Sequence, residues 1–150
     1  MLRDRFMSDL KEAMKGGDKP RLGTIRLIQA ALKDKDIEAR GAGKGPISDD
    51  EILQLLQKMV KQRQESAKMY GEGGRPELAE QENAEIAVIS AYLPKQMDEA
   101  EAKTAIAAVI AETGATGVKD MGKVMGELKA RYAGQMDFGK ASPLVKQLLG

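Results

Sequence analysis

The stretch SDDEILQLLQKMVKQRQESAKMY, residues 48–70, decides the fold. Its apolar residues Ile52, Leu55, Leu56, Met59, Val60, Ala67 and Tyr70 follow the i, i+3, i+4, i+7 spacing of one face of an α-helix. Ser48 and Glu51 form a capping box at its start, each side chain answering a backbone N–H that the first turn leaves unpaired. Gly71, Gly73 and Gly74 interrupt the pattern, and Pro76 suits the first turn of a second helix. Leu78, Ile86, Ile89 and Leu93 then run down an apolar side until Pro94. Two long amphipathic segments on so short a turn predict an antiparallel helical hairpin.

Three charges fall on these apolar stripes. Arg63 lies on the first, Glu82 and Glu85 on the second. A charge stranded against apolar surface costs several kcal/mol unless it is paired. The pattern therefore predicts an ion pair across the hairpin among Arg63, Glu82 and Glu85. The other chemistry such a group offers is a carboxylate pair for acid/base work, as in glycosidases; no further residue around it points that way.

Outward from the hairpin the helical reading continues. Leu2, Phe6, Leu10 and Ala13 mark a first helix that Gly16 and Gly17 stop. Asp18 caps a second, with Pro20 in its first turn and Leu22, Ile25, Ile28 and Leu32 on one face. Gly41, Gly43, Gly45 and Pro46 form a loop. Beyond residue 96 a second capping box, Asp98 to Glu101, opens helix five, which Gly114 closes. Helix six is expected over 118–132 and helix seven over 138–149. No stretch alternates in the manner of a strand. The expectation is an all-α protein of two domains: residues 1–96, four helices including the hairpin, and residues 97–150, a small three-helix module.

Composition narrows the chemistry. Among 150 residues there is no cysteine and no histidine, which removes disulfides, thiolate nucleophiles, the commonest general base and the commonest zinc ligand. No phosphate-binding glycine loop and no nucleophile elbow occurs. Catalytic, cofactor-binding and metal-ligating residues are therefore expected to be none, and no cofactor is implied. No apolar run reaches the roughly 18 residues of a membrane span and no secretory leader is legible, so a cytoplasmic protein is expected. The net charge is +1, with both ends mildly basic and the middle acidic. Residues 114–150 carry six basic and three acidic side chains, an excess that a solvated surface or a phosphate-binding patch explains equally.

Several motifs are family-specific. They are Lys11-Glu12-Ala13-Met14-Lys15, Arg26, Gln62-Arg63, Ser66, Gly73-Gly74-Arg75, Glu82, Glu85 and Tyr92-Leu93-Pro94. In the tail they are Met121-Gly122-Lys123-Val124-Met125, Gly134, Ala141-Ser142-Pro143-Leu144-Val145 and Leu148-Leu149. This order resembles the GatB/YqeY family, free-standing YqeY-like proteins whose last third is similar to the tail of GatB, a subunit of the tRNA-dependent amidotransferase. The resemblance implies a carbon–nitrogen ligase label with glutamine as amido donor. Neither the Ser-Ser-Lys signature of the amidase partner nor the large ATP-binding region of GatB is present.

What the resemblance implies is a noncatalytic tRNA-binding or amidotransferase-accessory protein, with tRNA, the amidotransferase or an aminoacyl-tRNA synthetase as partner. Candidate phosphate contacts are Lys119, Lys123, Lys129, Arg131, Lys140 and Lys146. Gly122 and Gly126, four apart on helix six, form a surface for close approach, by a neighbouring helix in the favoured reading or by an RNA backbone. The competing function is a helical module that docks on a synthetase or another protein without RNA.

Overall fold

Seven α-helices build the chain in the computed structural model, which describes all 150 residues. They are α1 (Leu2–Gly16), α2 (Lys19–Gly41), α3 (Asp49–Glu72), α4 (Pro76–Ser90), α5 (Glu99–Thr113), α6 (Met121–Tyr132) and α7 (Phe138–Leu149). No strand forms, so the protein is all-α, and no helix is long and apolar enough to cross a membrane. The backbone divides into two compact units, Met1–Leu93 and Pro94–Gly150, each with its own apolar core.

In the first unit the sequence signals act where they stand. Gly17 takes the left-handed conformation, φ 66°, that ends α1. The Asp18 carboxylate then accepts from the Arg21 N–H at 3.2 Å to start α2. Ser48 and Glu51 make the reciprocal capping box that opens α3. Past the turn at Gly73 and Gly74, α4 returns along α3 as the second arm of the hairpin. It ends at Ser90, short of the expected Leu93, because Pro94 disfavours helical geometry in the residue before it. Tyr92 and Leu93 close turns onto Ile89 and Ser90 instead. Phe6, Ile28, Ile52, Leu56 and Ile89 meet in the core, each contributing about 1.5–3 kcal/mol by burial.

The second unit opens on the Asp98–Glu101 capping box, and Gly114, φ 69°, ends α5. Val118–Asp120 is a single 3₁₀ turn, so α6 starts at Met121, three residues later than its apolar pattern suggests. The Asp120 carboxylate accepts from the Thr116 N–H at 3.0 Å, holding that turn out of the helix. Ile106, Val109, Val124, Leu128, Met136 and Val145 make the core. Pro143 falls inside α7, where it removes one helical hydrogen bond.

Candidate functional site

Three polar clusters tie the helices of the first unit together. In the hairpin, Arg63 Nε donates to Glu85 Oε2 at 2.9 Å while its Nη1 donates to the Met59 carbonyl at 3.2 Å. Both charged side chains are largely buried, with 17% and 20% exposure. The expected ion pair therefore exists between Arg63 and Glu85, and the bond does not extend to Glu82. Glu82, half-buried one turn before Glu85, makes no bond with the guanidinium.

The second cluster lies at the foot of α1. Arg3 grips Asp36 with two nitrogens, at 2.7 and 2.9 Å, and donates a further bond to the Ile47 carbonyl at 2.9 Å. Asp36 also accepts from the Ile47 N–H at 3.0 Å. Hydrogen bonds from Arg3 and Ile47 outweigh partial burial and hold the Asp36 carboxyl down at about 2.

The third centres on Tyr92, whose hydroxyl donates to Asp9. Arg21 stands 3.7 Å from both Asp9 and Glu12, and Arg5 lies over the Tyr92 ring at 4.9 Å from its centroid. Phe6 meets the same ring edge-on at 4.8 Å. Burial, and next the Asp9 carboxylate, push the phenol well above its ordinary range, so it stays protonated. Neither Arg3–Asp36 nor Asp9–Tyr92 was visible in the sequence, because partners 33 and 83 residues apart leave no local spacing to read.

Between these clusters α2 and α4 part to leave a cleft of about 490 Å³. Lys19, Pro20, Gly23 and Leu27 line one wall, and Gln81, Ala84, Glu85 and Val88 the other. The surface is mostly apolar, and the carboxylate that borders it, Glu85, is already neutralised by Arg63. No group of three or more carboxylates gathers to hold a metal ion. The arrangement can seat an apolar side chain or a helix; it does not present a free acid beside a free base.

The candidate cations of the second unit differ in their partners. Lys119, Lys129, Lys140 and Lys146 are exposed. Lys123 caps the end of α5 by donating to the Thr113 carbonyl at 3.2 Å. Arg131 is held by Glu112 at 2.5 Å and Glu127 at 2.9 Å, which raise its pKa and consume its charge. On α6, Lys123 and Lys129 project about 120° apart around the axis. Gly122 and Gly126 are both exposed, and a Cβ built on either would meet nothing within 4 Å. The expected close approach of another helix is therefore absent: α5 and α7 pack on the opposite side of α6, around Val124 and Leu128.

The fold is that of a two-unit all-α protein with an apolar cleft between α2 and α4. Residues 3–149 match the family model described as Yqey-like protein, and the chain belongs to that family. Its relatives are named altered inheritance of mitochondria protein 41, mitochondrial. The one from Pyrenophora tritici-repentis is 29% identical over 97% of this chain and 80% of its own length. Those from Eremothecium gossypii and Clavispora lusitaniae are 34% and 36% identical over 57% and 61% of this chain. The aligned parts span only 45% and 52% of those two relatives. These names correct two expectations. The relatives are not named for amidotransfer or tRNA, which overturns the amidotransferase-related, tRNA-binding reading, and they are designated mitochondrial where a cytoplasmic protein was expected. The expectation rested on the resemblance of the last third to the tail of GatB, and a shared fold does not carry function with it.

Proposed function

We propose that this chain is a noncatalytic helical docking protein that serves mitochondria, in the sense carried by its relatives' names, and works by binding another protein. The names of the relatives, one of them aligned over 97% of this chain, support the mitochondrial part. The docking part rests on one observation, the apolar cleft between α2 and α4 whose bordering carboxylate is neutralised by Arg63. An apolar concavity whose carboxylate is paired, with the Lys19 ammonium at its rim, favours association through burial, at about 25 cal/mol per Å² of apolar surface removed from water, over proton transfer.

The test is genetic. In Eremothecium gossypii lacking its own relative, this chain is expressed behind a mitochondrial leader, and mitochondrial inheritance is scored by microscopy once import has been verified by fractionation. Restored inheritance is expected. Imported, folded protein that leaves inheritance altered would overturn the reading.

A further inference from the structure

The helix α2 carries two apolar seams, only one of which the fold uses. Ile25, Ile28 and Leu32 are buried in the core of the first unit. On the outer side Gly23, Leu27, Ala30, Asp34 and Ile37 alternate steps of four and three, the repeat of a coiled-coil seam, and all five are exposed. Leu27 and Ile37 leave 43% and 52% of their surface in water. Along one edge of this outer seam stand Lys19, Arg26, Lys33 and Arg40, each seven residues after the last. Seven residues advance about 10 Å and fall about 20° short of two turns, so the four cations form a slowly winding ridge about 30 Å long beside the seam, which winds with it. All four are exposed and none makes a salt bridge, although the Arg40 charge also acts on the Asp36 carboxylate one turn before it.

From this juxtaposition we infer that the outer face of α2 is the docking site for an acidic amphipathic helix of a partner protein. The partner would lay apolar residues into the Gly23–Ile37 seam and carry carboxylates at seven-residue spacing against the ridge. This deepens the docking function proposed above and rests on it. Charge complementarity selects the occupant. A second copy of the chain, apposed seam to seam in antiparallel fashion, sets cation against cation. An anionic membrane would have to bury Asp34 and finds no large aromatic to anchor it. Against a helix, Asp34 pairs with one lysine or arginine and fixes the register, the role of a single polar residue in a coiled-coil seam. Gly23, Ala30 and Ala84 let a helix backbone come close, and at the N-terminal half of the seam the α2–α4 cleft supplies a concave seat for its side chains.

The probe is a fluorescein-labelled peptide of three heptads with leucine in the seam, one arginine at the seam position that meets Asp34 and glutamate on its flanks, beside a counterpart with lysine for glutamate. Each is titrated by anisotropy against the full chain, with phosphatidylcholine vesicles containing one quarter phosphatidylglycerol as the membrane arm. We expect the glutamate peptide to bind at least tenfold more tightly than the lysine peptide. The Arg26→Glu/Lys33→Glu chain should reverse that order, and Leu27→Gln should weaken binding severalfold while the circular dichroism melt confirms folding. Absence of binding, equal affinity for both peptides, or insensitivity to both variants would overturn the inference. So would sedimentation with the vesicles that the charge reversal abolishes while peptide binding persists. The same reversed chain, tested in the inheritance assay, separates the two readings. Rescue by wild type and by the reversed chain alike removes the ridge and leaves the mitochondrial function standing; failure of the wild type removes that function and leaves the peptide result to stand alone.

Discussion

The two units are held by different forces. In residues 1–93 the helices are stitched across long sequence separations: Arg3 to Asp36 and Ile47, Tyr92 to Asp9, Arg63 to Glu85. In residues 94–150 most polar bonds are local caps, and the helices meet mainly through Ile106, Val124, Leu128 and Val145. Its prominent cross-helix ion pair, Arg131 to Glu112, lies at the surface, where water and salt screen it. Directional bonds fix how helices cross, and they make stability depend on pH. Apolar packing does neither to the same degree. The first unit is thus the more exactingly oriented, and it is the one that bears the cleft.

The largest effect expected from breaking this contrast is in the second unit's core. Leu128→Ala should destabilise it by about 2–5 kcal/mol, measured by chemical denaturation. A loss below about 1 kcal/mol would mean that the apolar core is not what holds those helices. Arg63→Leu comes next: with Glu85 left unpaired in a mostly buried setting, about 3 kcal/mol should be lost. Replacing both partners with leucine should recover most of it, and a double variant as unstable as the single would show that the ion pair is not the cause.

Asp36→Asn should cost about 2 kcal/mol. Because Arg3 depresses the folded-state pKa of Asp36 to about 2, the contribution is complete above about pH 4 and lost as pH falls toward 2. Thermal melts through that window should drop more steeply for the wild type than for the variant; parallel curves would exclude Asp36 as the acid-sensitive group. The smallest effect has the opposite sign. Gly126→Ala, placed in open space on a regular helix turn, should raise stability by about 0.5–1 kcal/mol. A decrease would reveal a neighbour on that face.

Much of the fold was legible because it is written in short-range patterns. The capping boxes at Ser48 and Asp98 and the glycine stops at Gly17 and Gly114 lie within a few residues of the turns that they create. Arg63 and Glu85 could be matched because each was conspicuous alone, a charge on an apolar stripe. The Arg3–Asp36 clamp could not, since both residues look like ordinary surface charges until α1 and α2 come together. The function was misread for a different reason: the tRNA expectation came from the resemblance to the GatB tail, and the basic residues of 119–146 only permitted it. The cations aligned on one helix edge, Lys19, Arg26, Lys33 and Arg40, are diluted among acids in any residue count. Only their position on the folded helix distinguishes them.

The Asp36 clamp has one more consequence. By receiving the N–H of Ile47 while Arg3 holds the Ile47 carbonyl, it closes the connection from α2 to α3 into a loop fastened at its base. A protease that cuts the glycine-rich tip around Gly43 would sever the chain without releasing its ends. The nicked protein should migrate as one species on a native gel and fall into two fragments only in denaturant. Continuity of the backbone and continuity of the structure are separable here, and a single carboxylate separates them.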